Sequence, residues 1–237
     1  MAQEQIRGAY GGGDVRERAR NGLIFESQLG NFDFRTSNLS KIALIYWPDG
    51  QIGQHKLGLT VFENRTQIQG IQESFNYYAD SVVKTKFESS SVAEFHSIQV
   101  SPIKLEKYFK RSQIGPGLKI NESGSQYLDS LKSVGFDGVF FLYEHELQDL
   151  FTGSNTWLPS KGIFKYYRKV LVYHGLYSLL INLGDQKPVR KIGYQQISGD
   201  YFEGGDPKEI TDLNEIIQYI KIRFKNNIDQ IYQIHKL

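Results

Sequence analysis

Between Gly135 and Leu150 the chain reads Gly-Phe-Asp-Gly-Val-Phe-Phe-Leu-Tyr-Glu-His-Glu-Leu-Gln-Asp-Leu, and its densest group of titratable side chains, Glu144-His145-Glu146, directly follows an apolar run. Two carboxylates at i and i+2 of an extended chain share a face. A pair so placed is fit to hold a cation, or to act as general acid and general base. Partial withdrawal from water raises a carboxyl pKa toward the range useful for proton transfer. On that reading the chain is a hydrolase of glycosidase type using Glu144 or Glu146, with Asp137 or Asp149 close by. The competing reading is a solvated strand end where Tyr143, Glu144, His145 and Glu146 meet a binding partner, with His174 as a further binding candidate. His174 adjoins Gly175, where the strand pattern predicts a bulge or a close backbone approach.

Other chemistries lack their residues. The sequence has no Cys, which excludes thiolate catalysis, disulfides and Cys-ligated metals. The five histidines, His55, His96, His145, His174 and His235, show neither His-x-His nor His-x-x-x-His spacing, so no metal site is expected. The stretch Glu122-Ser-Gly-Ser125 lacks the first glycine and the preceding strand of a nucleophile elbow. No Gly-x-Gly-x-x-Gly opens a helix after a strand, and Gly11 to Gly13 lack the Gly-Lys-Ser/Thr of a phosphate loop, so no cofactor is expected.

The elements that must position the acids follow from periodicity. Phe136–Tyr143 is an apolar run bounded by turn residues, as expected of a strand covered on both faces. Lys41–Trp47 is a second such run, closed by Pro48-Asp-Gly50. Leu57–Phe62 and Phe95–Val100 complete the early strands. Apolar residues recur at threes and fours over Ile71–Phe87, and Ile103–Phe109 and Ser125–Val134 are shorter helices. Beyond Leu150 the pattern turns to β: Phe164–Tyr173, Leu176–Leu183 and Val189–Ile197, with a hairpin turn at Gly184–Pro188. The last helix starts at Asp206-Pro-Lys-Glu209, an N-cap followed by proline and an acid. Its apolar positions run from Ile210 to Ile234, about 40–45 Å. That length either covers the sheet or leaves a far half for a second copy of the chain.

These elements describe an α/β (α+β) fold in one domain over residues 36–237, with crossover helices early, antiparallel strands late and a long C-terminal helix. Residues 1–35, with their glycine triplet and alternating charges, are expected to form a mobile arm that docks through Leu23 to Phe25. A formal charge of +2, with Lys and Arg not gathered into a patch along the sequence, argues against nucleic acid. No apolar run approaches the length of a membrane span. Met1–Gln5 has no basic-then-apolar signal pattern, and we expect the mature end of an exported protein, periplasmic or secreted, with a cytoplasmic location as the alternative.

Two resemblances bear on function. Gly135-Phe-Asp-Gly-Val139 followed by Glu144 resembles the catalytic strand of the chitinase-like family 18 glycoside hydrolases, with Asp137 at the first acid and Glu144 at the catalytic acid. Phe140 and Leu142 stand where that pattern has its other two acids. The order of elements over residues 40–200, with Asp137-Gly-Val139 on one strand and the hairpin around Gly184-Asp185, resembles α/β modules of the bacterial envelope. These are the N-terminal domain of TolB, the curli-secretion lipoprotein domain and the lipoprotein activators of peptidoglycan synthases. That resemblance implies a non-catalytic binding or assembly module for a protein partner.

Overall fold

The structure, a computed structural model, describes residues 23–28, 32–57, 65–70, 73–111, 117–148, 157–166, 169–200 and 213–237. Its spine is a hairpin of two 14-residue strands, β12 (Lys169–Asn182) and β13 (Lys187–Asp200). The predicted turn joins them: Asn182 Oδ1 accepts from Gly184 N–H and Asp185 Oδ1 from Lys187 N–H. Gln186 takes the left-handed conformation there, at φ 55°. β13 pairs along one edge of β12 for its whole length, and β1 (Leu23–Gln28) pairs antiparallel with β13. Residues 1–22 and 29–31 of the expected arm lie outside the described residues.

The other edge of β12 is shared by two strands. β11 (Lys161–Tyr166) pairs with Lys169–His174, and β8 (Gly138–Tyr143) pairs with Tyr177–Asn182. Both run antiparallel to β12, so they lie end to end. The next strands repeat the arrangement. β2 (Lys41–Trp47) runs parallel to β8, and β3 (Gln51–Leu57) runs parallel to β11. β5 (Glu94–Ser97) adds in parallel to β2, and β4 (Arg65–Gly70) adds antiparallel to β3. The nine-stranded mixed sheet therefore has a seam across its middle, at Pro48–Gly50 between β2 and β3 and after Tyr143 between β8 and β11. Among the described residues the β12–β13 hairpin spans it without a break, and β1 pairs with β13 on the β8 side.

Helices cover both faces. On one side α1 (Glu73–Glu88) and α4 (Leu213–His235) pack on Ile42, Leu44, Phe140, Leu142, Leu176 and Leu180. On the other, α2 (Pro102–Tyr108) and α3 (Glu122–Ser133) supply Leu105, Leu128 and Leu131 to Ala43, Ile45, Val139, Phe141 and Leu179. Alternation along β2 and β8 deals residues to the two cores in turn, which is why both strands read as unbroken apolar runs. Every residue of β8 is buried. A two-stranded ribbon, β6 (Phe109–Arg111) with β7 (Leu118–Ile120), connects α2 to α3, and a smaller pair forms from β9 (Leu147–Gln148) and β10 (Trp157–Leu158).

The mixed α/β class, the early crossover helices, the late hairpin and the long last helix are as expected. Four details bear on the finer expectations. β12 runs straight through Gly175, and the register shift falls instead between Leu180 and Ile181. Gly175 does mark a close approach, since its N–H donates to the Ser160 carbonyl at 2.7 Å. The strand over Gln51–Leu57 was not expected, because its polar Gln and His residues hide an inward-facing set; of the expected strand Leu57–Phe62, residues 58–62 lie outside the described residues. α4 is described over 23 residues, about 34 Å, and its predicted start at Asp206–Glu209 lies outside the described residues. Its far half packs on the chain's own sheet through Ile228, Ile231 and His235. No described helix is long and apolar enough to cross a membrane.

Candidate functional site

The seam is where the titratable residues meet. When a strand stops inside a sheet, its last backbone groups lose their ladder partners, and burying them unpaired is costly. Here side chains take over. Glu144 N–H still reaches the Trp47 carbonyl at 3.1 Å, so the parallel pairing extends one residue past β8. The Glu144 carboxylate then turns back and accepts from Asp49 N–H at 2.8 Å. Asp49 Oδ2 accepts from Ser160 N–H at 3.0 Å, and Lys161 Nζ donates to the Asp49 carbonyl at 2.6 Å.

Lys161 is the first residue of β11, and its ammonium is ion-paired to Glu144 Oε2. It also lies 3.4 Å from Ser160 Oγ and 5.4 Å from the Phe75 ring centroid. Glu144 Oε1 is 2.9 Å from His174 Nε2. On the far side of that imidazole, Asn227 Nδ2 from α4 donates to His174 Nδ1 at 2.7 Å and to the His174 carbonyl at 3.2 Å. These contacts define the tautomer: Nδ1 holds the lone pair, and Nε2–H donates to the carboxylate. Glu144, Lys161, His174 and Asn227 are all buried to zero exposure or nearly so.

Burial alone would push the Glu144 carboxyl up. The Lys161 cation and the His174 hydrogen bond outweigh it and hold the group down at about 2. Burial keeps His174 below its usual value, although the Glu144 anion pulls the other way. The group is therefore a carboxylate–ammonium pair braced by a neutral imidazole, with no net charge. Beside it, burial and then the Glu144 anion raise the Tyr46 phenol.

The predicted site residues scatter around this knot. β8 ends at Tyr143, so strand alternation does not carry through Glu144 and Glu146: Glu144 is buried while Glu146 is exposed. His145 is half-buried, with its ring 6.1 Å edge-on from Tyr177. Tyr143 stacks on Tyr177, and its hydroxyl accepts from Gly117 N–H at 2.7 Å. Asp137 is at the opposite end of β8 from Glu144, about 20 Å along the strand. It accepts from Ser40 N–H, Ser40 Oγ and Lys41 N–H at 3.1, 2.8 and 2.9 Å, and the backbone bonds to Lys41 and Ser40 hold its pKa low. Asp137 is thus a clasp for the start of β2. Asp149 lies outside the described residues. No group of three metal-binding side chains occurs among the described residues.

Lys161 and Asn227 were not singled out in the sequence. Asn227 had a signal: it falls three residues after Phe224 and four before Ile231, on the apolar face of α4, where an amide needs a partner. Lys161 had none, because only the end-to-end stacking of β8 and β11 brings it to Glu144.

The chain matches no protein-family model and no curated protein. Among solved structures it is similar to the PelC dodecamer from Paraburkholderia phytofirmans, at 8% identity and a TM-score of 0.39, covering 87% of this chain and 94% of that one. It is similar to protein XCC0632 from Xanthomonas campestris at 9% identity and a TM-score of 0.43, covering 81% of each. For lipoprotein GNA1162 from Neisseria meningitidis the values are 10% and 0.35, over 81% of this chain and 99% of that one. Of these three, GNA1162 is named as a lipoprotein.

Proposed function

We propose that this chain is a non-catalytic module of the bacterial envelope, or of a secreted protein, that acts by binding a protein partner. One observation supports the absence of catalysis: Glu144, the acid best placed for it, is fully buried and engaged by Lys161, His174 and Asp49 N–H. A general acid needs a face open to substrate and a pKa near the working pH. This carboxyl has neither, and its neighbours serve the strand ends. Of the proposed binding residues, His145 and Glu146 reach solvent, while Tyr143, Glu144 and His174 act from inside by holding the end of β8. The order of elements, which resembles that of envelope modules, supports the envelope setting.

Purified protein incubated with glycan, ester and phosphate substrates tests this reading, alongside Glu144→Gln. We expect no turnover from either protein and a lowered unfolding midpoint in the variant. Turnover by the wild type that Glu144→Gln abolishes without a change in unfolding midpoint would replace the binding module with a hydrolase.

A further inference from the structure

The expectation that Lys and Arg form no patch does not hold locally, and the near-neutral total charge hides an uneven distribution. Residues 102–120 carry five basic side chains, Lys104, Lys107, Lys110, Arg111 and Lys119, against one acid, Glu106. Two of them pair across the ribbon, and two more are exposed on the short helix that leads into it. In the ribbon, Lys110 is in direct register with Lys119, and both are exposed. Residues directly opposite in an antiparallel pair project on one face, and like charges so placed are destabilising. The ribbon's other face is inward: Phe109 is buried and opposes Ile120. The two lysines therefore point away from the core. α2 runs straight into β6 with the same polarity. Leu105 enters the core, whereas Ile103, Lys104, Glu106 and Lys107 face water, with Ile103 80% exposed. Asn121, just after β7, donates to the Lys107 carbonyl at 2.6 Å and so holds helix and ribbon together. None of Lys104, Lys107, Lys110 and Lys119 makes an ion pair among the described residues.

From this juxtaposition we infer that the outer face of α2 and the β6–β7 ribbon is a docking surface for an anionic lipid bilayer. Lysine is a hydrated point charge on a flexible stem and demands no fixed geometry from its partner. It is depleted at protein–protein interfaces, where aromatic residues and arginine dominate, and the one arginine of this segment is packed over the Trp47 ring, at 4.0 Å. A lysine cluster with one protruding aliphatic side chain suits a fluid layer of negative headgroups: the ammonium groups attract it, and Ile103 enters the acyl boundary. The ribbon's inner face meets the seam, where Arg111 donates to the Pro48 carbonyl at 3.3 Å, and its lysines project on the opposite face, so the inference goes beyond partner binding at the seam.

Flotation with vesicles tests the inference, using phosphatidylcholine alone and phosphatidylcholine with phosphatidylglycerol. We expect binding only to the anionic vesicles, and its loss in high salt. Lys110→Gln with Lys119→Gln weakens it about 25-fold, at roughly fivefold per lysine. Lys56→Gln with Lys84→Gln changes the net charge equally, elsewhere on the surface, and leaves binding within about twofold of the wild type. Ile103→Ser weakens vesicle binding about fivefold but does not change retention on soluble polyglutamate. Equal losses in the two lysine pairs, no binding to anionic vesicles at low salt, or an Ile103→Ser variant that binds vesicles like the wild type would each overturn the inference. The last result, with polyglutamate retention lost in Lys110→Gln/Lys119→Gln, would point to an acidic protein instead.

Discussion

At the scale of single residues the seam behaves as an all-or-none polar unit. Replacing Glu144 with Gln leaves the Lys161 ammonium buried without its anion, and losing one partner of a buried pair costs about 3–5 kcal/mol. The double variant Glu144→Gln/Lys161→Met removes both charges and keeps an acceptor for Asp49 N–H. Urea unfolding should find the double variant closer to the wild type than Glu144→Gln alone; equal losses would mean the two residues do not act as a pair. The sequence showed one of these residues and not the other, for a physical reason. Glu144 stands out because an acid follows an apolar run. Lys161 looks like any lysine before a strand, since what matters is the strand end it meets, which no local spacing encodes. Expecting Glu144 and Glu146 on one face failed for a related reason: period-two alternation holds only while the backbone stays in a strand, and β8 stops at Tyr143.

At the scale of elements, two close approaches carry predictions. Gly162 of β11 and Gly53 of β3 face each other across a parallel pairing, beneath the hydroxyl of Tyr173. That hydroxyl is 2.8 Å from His55 Nε2, and His55 Nδ1 is 3.0 Å from Thr66 Oγ1, so a polar line runs from buried Tyr173 on β12 through His55 on β3 to exposed Thr66 on β4. A methyl group on Gly162 would land on the Gly53 carbonyl oxygen and the Tyr173 hydroxyl. Gly162→Ala should therefore cost about 1–3 kcal/mol as overpacking, seen as a fall in thermal midpoint of several degrees; an unchanged midpoint would show that β3 and β11 can separate freely. At α3, Asn121 Oδ1 caps the helix by accepting from Gly124 N–H at 2.9 Å. Asn121→Ala should cost about 1 kcal/mol by urea unfolding, or more through the lost bond to Lys107. Helix and strand identities were legible because binary periodicity is local. The seam was not, since each half of the sheet has ordinary strands and only pairing registers show them lying end to end.

For the whole molecule, the buried titratable groups predict how stability responds to acid. His174 and His235 are both buried, and burial lowers the pKa of each; Arg190 lowers that of His235 further. Their usual value in an unfolded chain is near 6.5. Below that pH the unfolded chain takes up protons that the folded chain refuses, so these two groups stabilise fully above about 6.5 and progressively less as the pH falls. Glu144 acts in the same direction lower down, its contribution being lost between the unfolded value near 4.5 and about 2. Each proton of difference changes stability by about 1.4 kcal/mol per pH unit. The urea midpoint should therefore be nearly flat above pH 7.5, decline from about 6.5, and fall again below about 4.5. His235→Gln, which can still meet the Ser178 hydroxyl that lies 2.8 Å from His235 Nε2, should remove one proton from the slope between pH 5 and 6.5 and leave the lower step intact. A variant whose slope in that interval matches the wild type would mean that the His235 ring is already protonated in the fold. The helix that carries it against Phe140 would then sit less deeply than its 4.8 Å ring contact indicates.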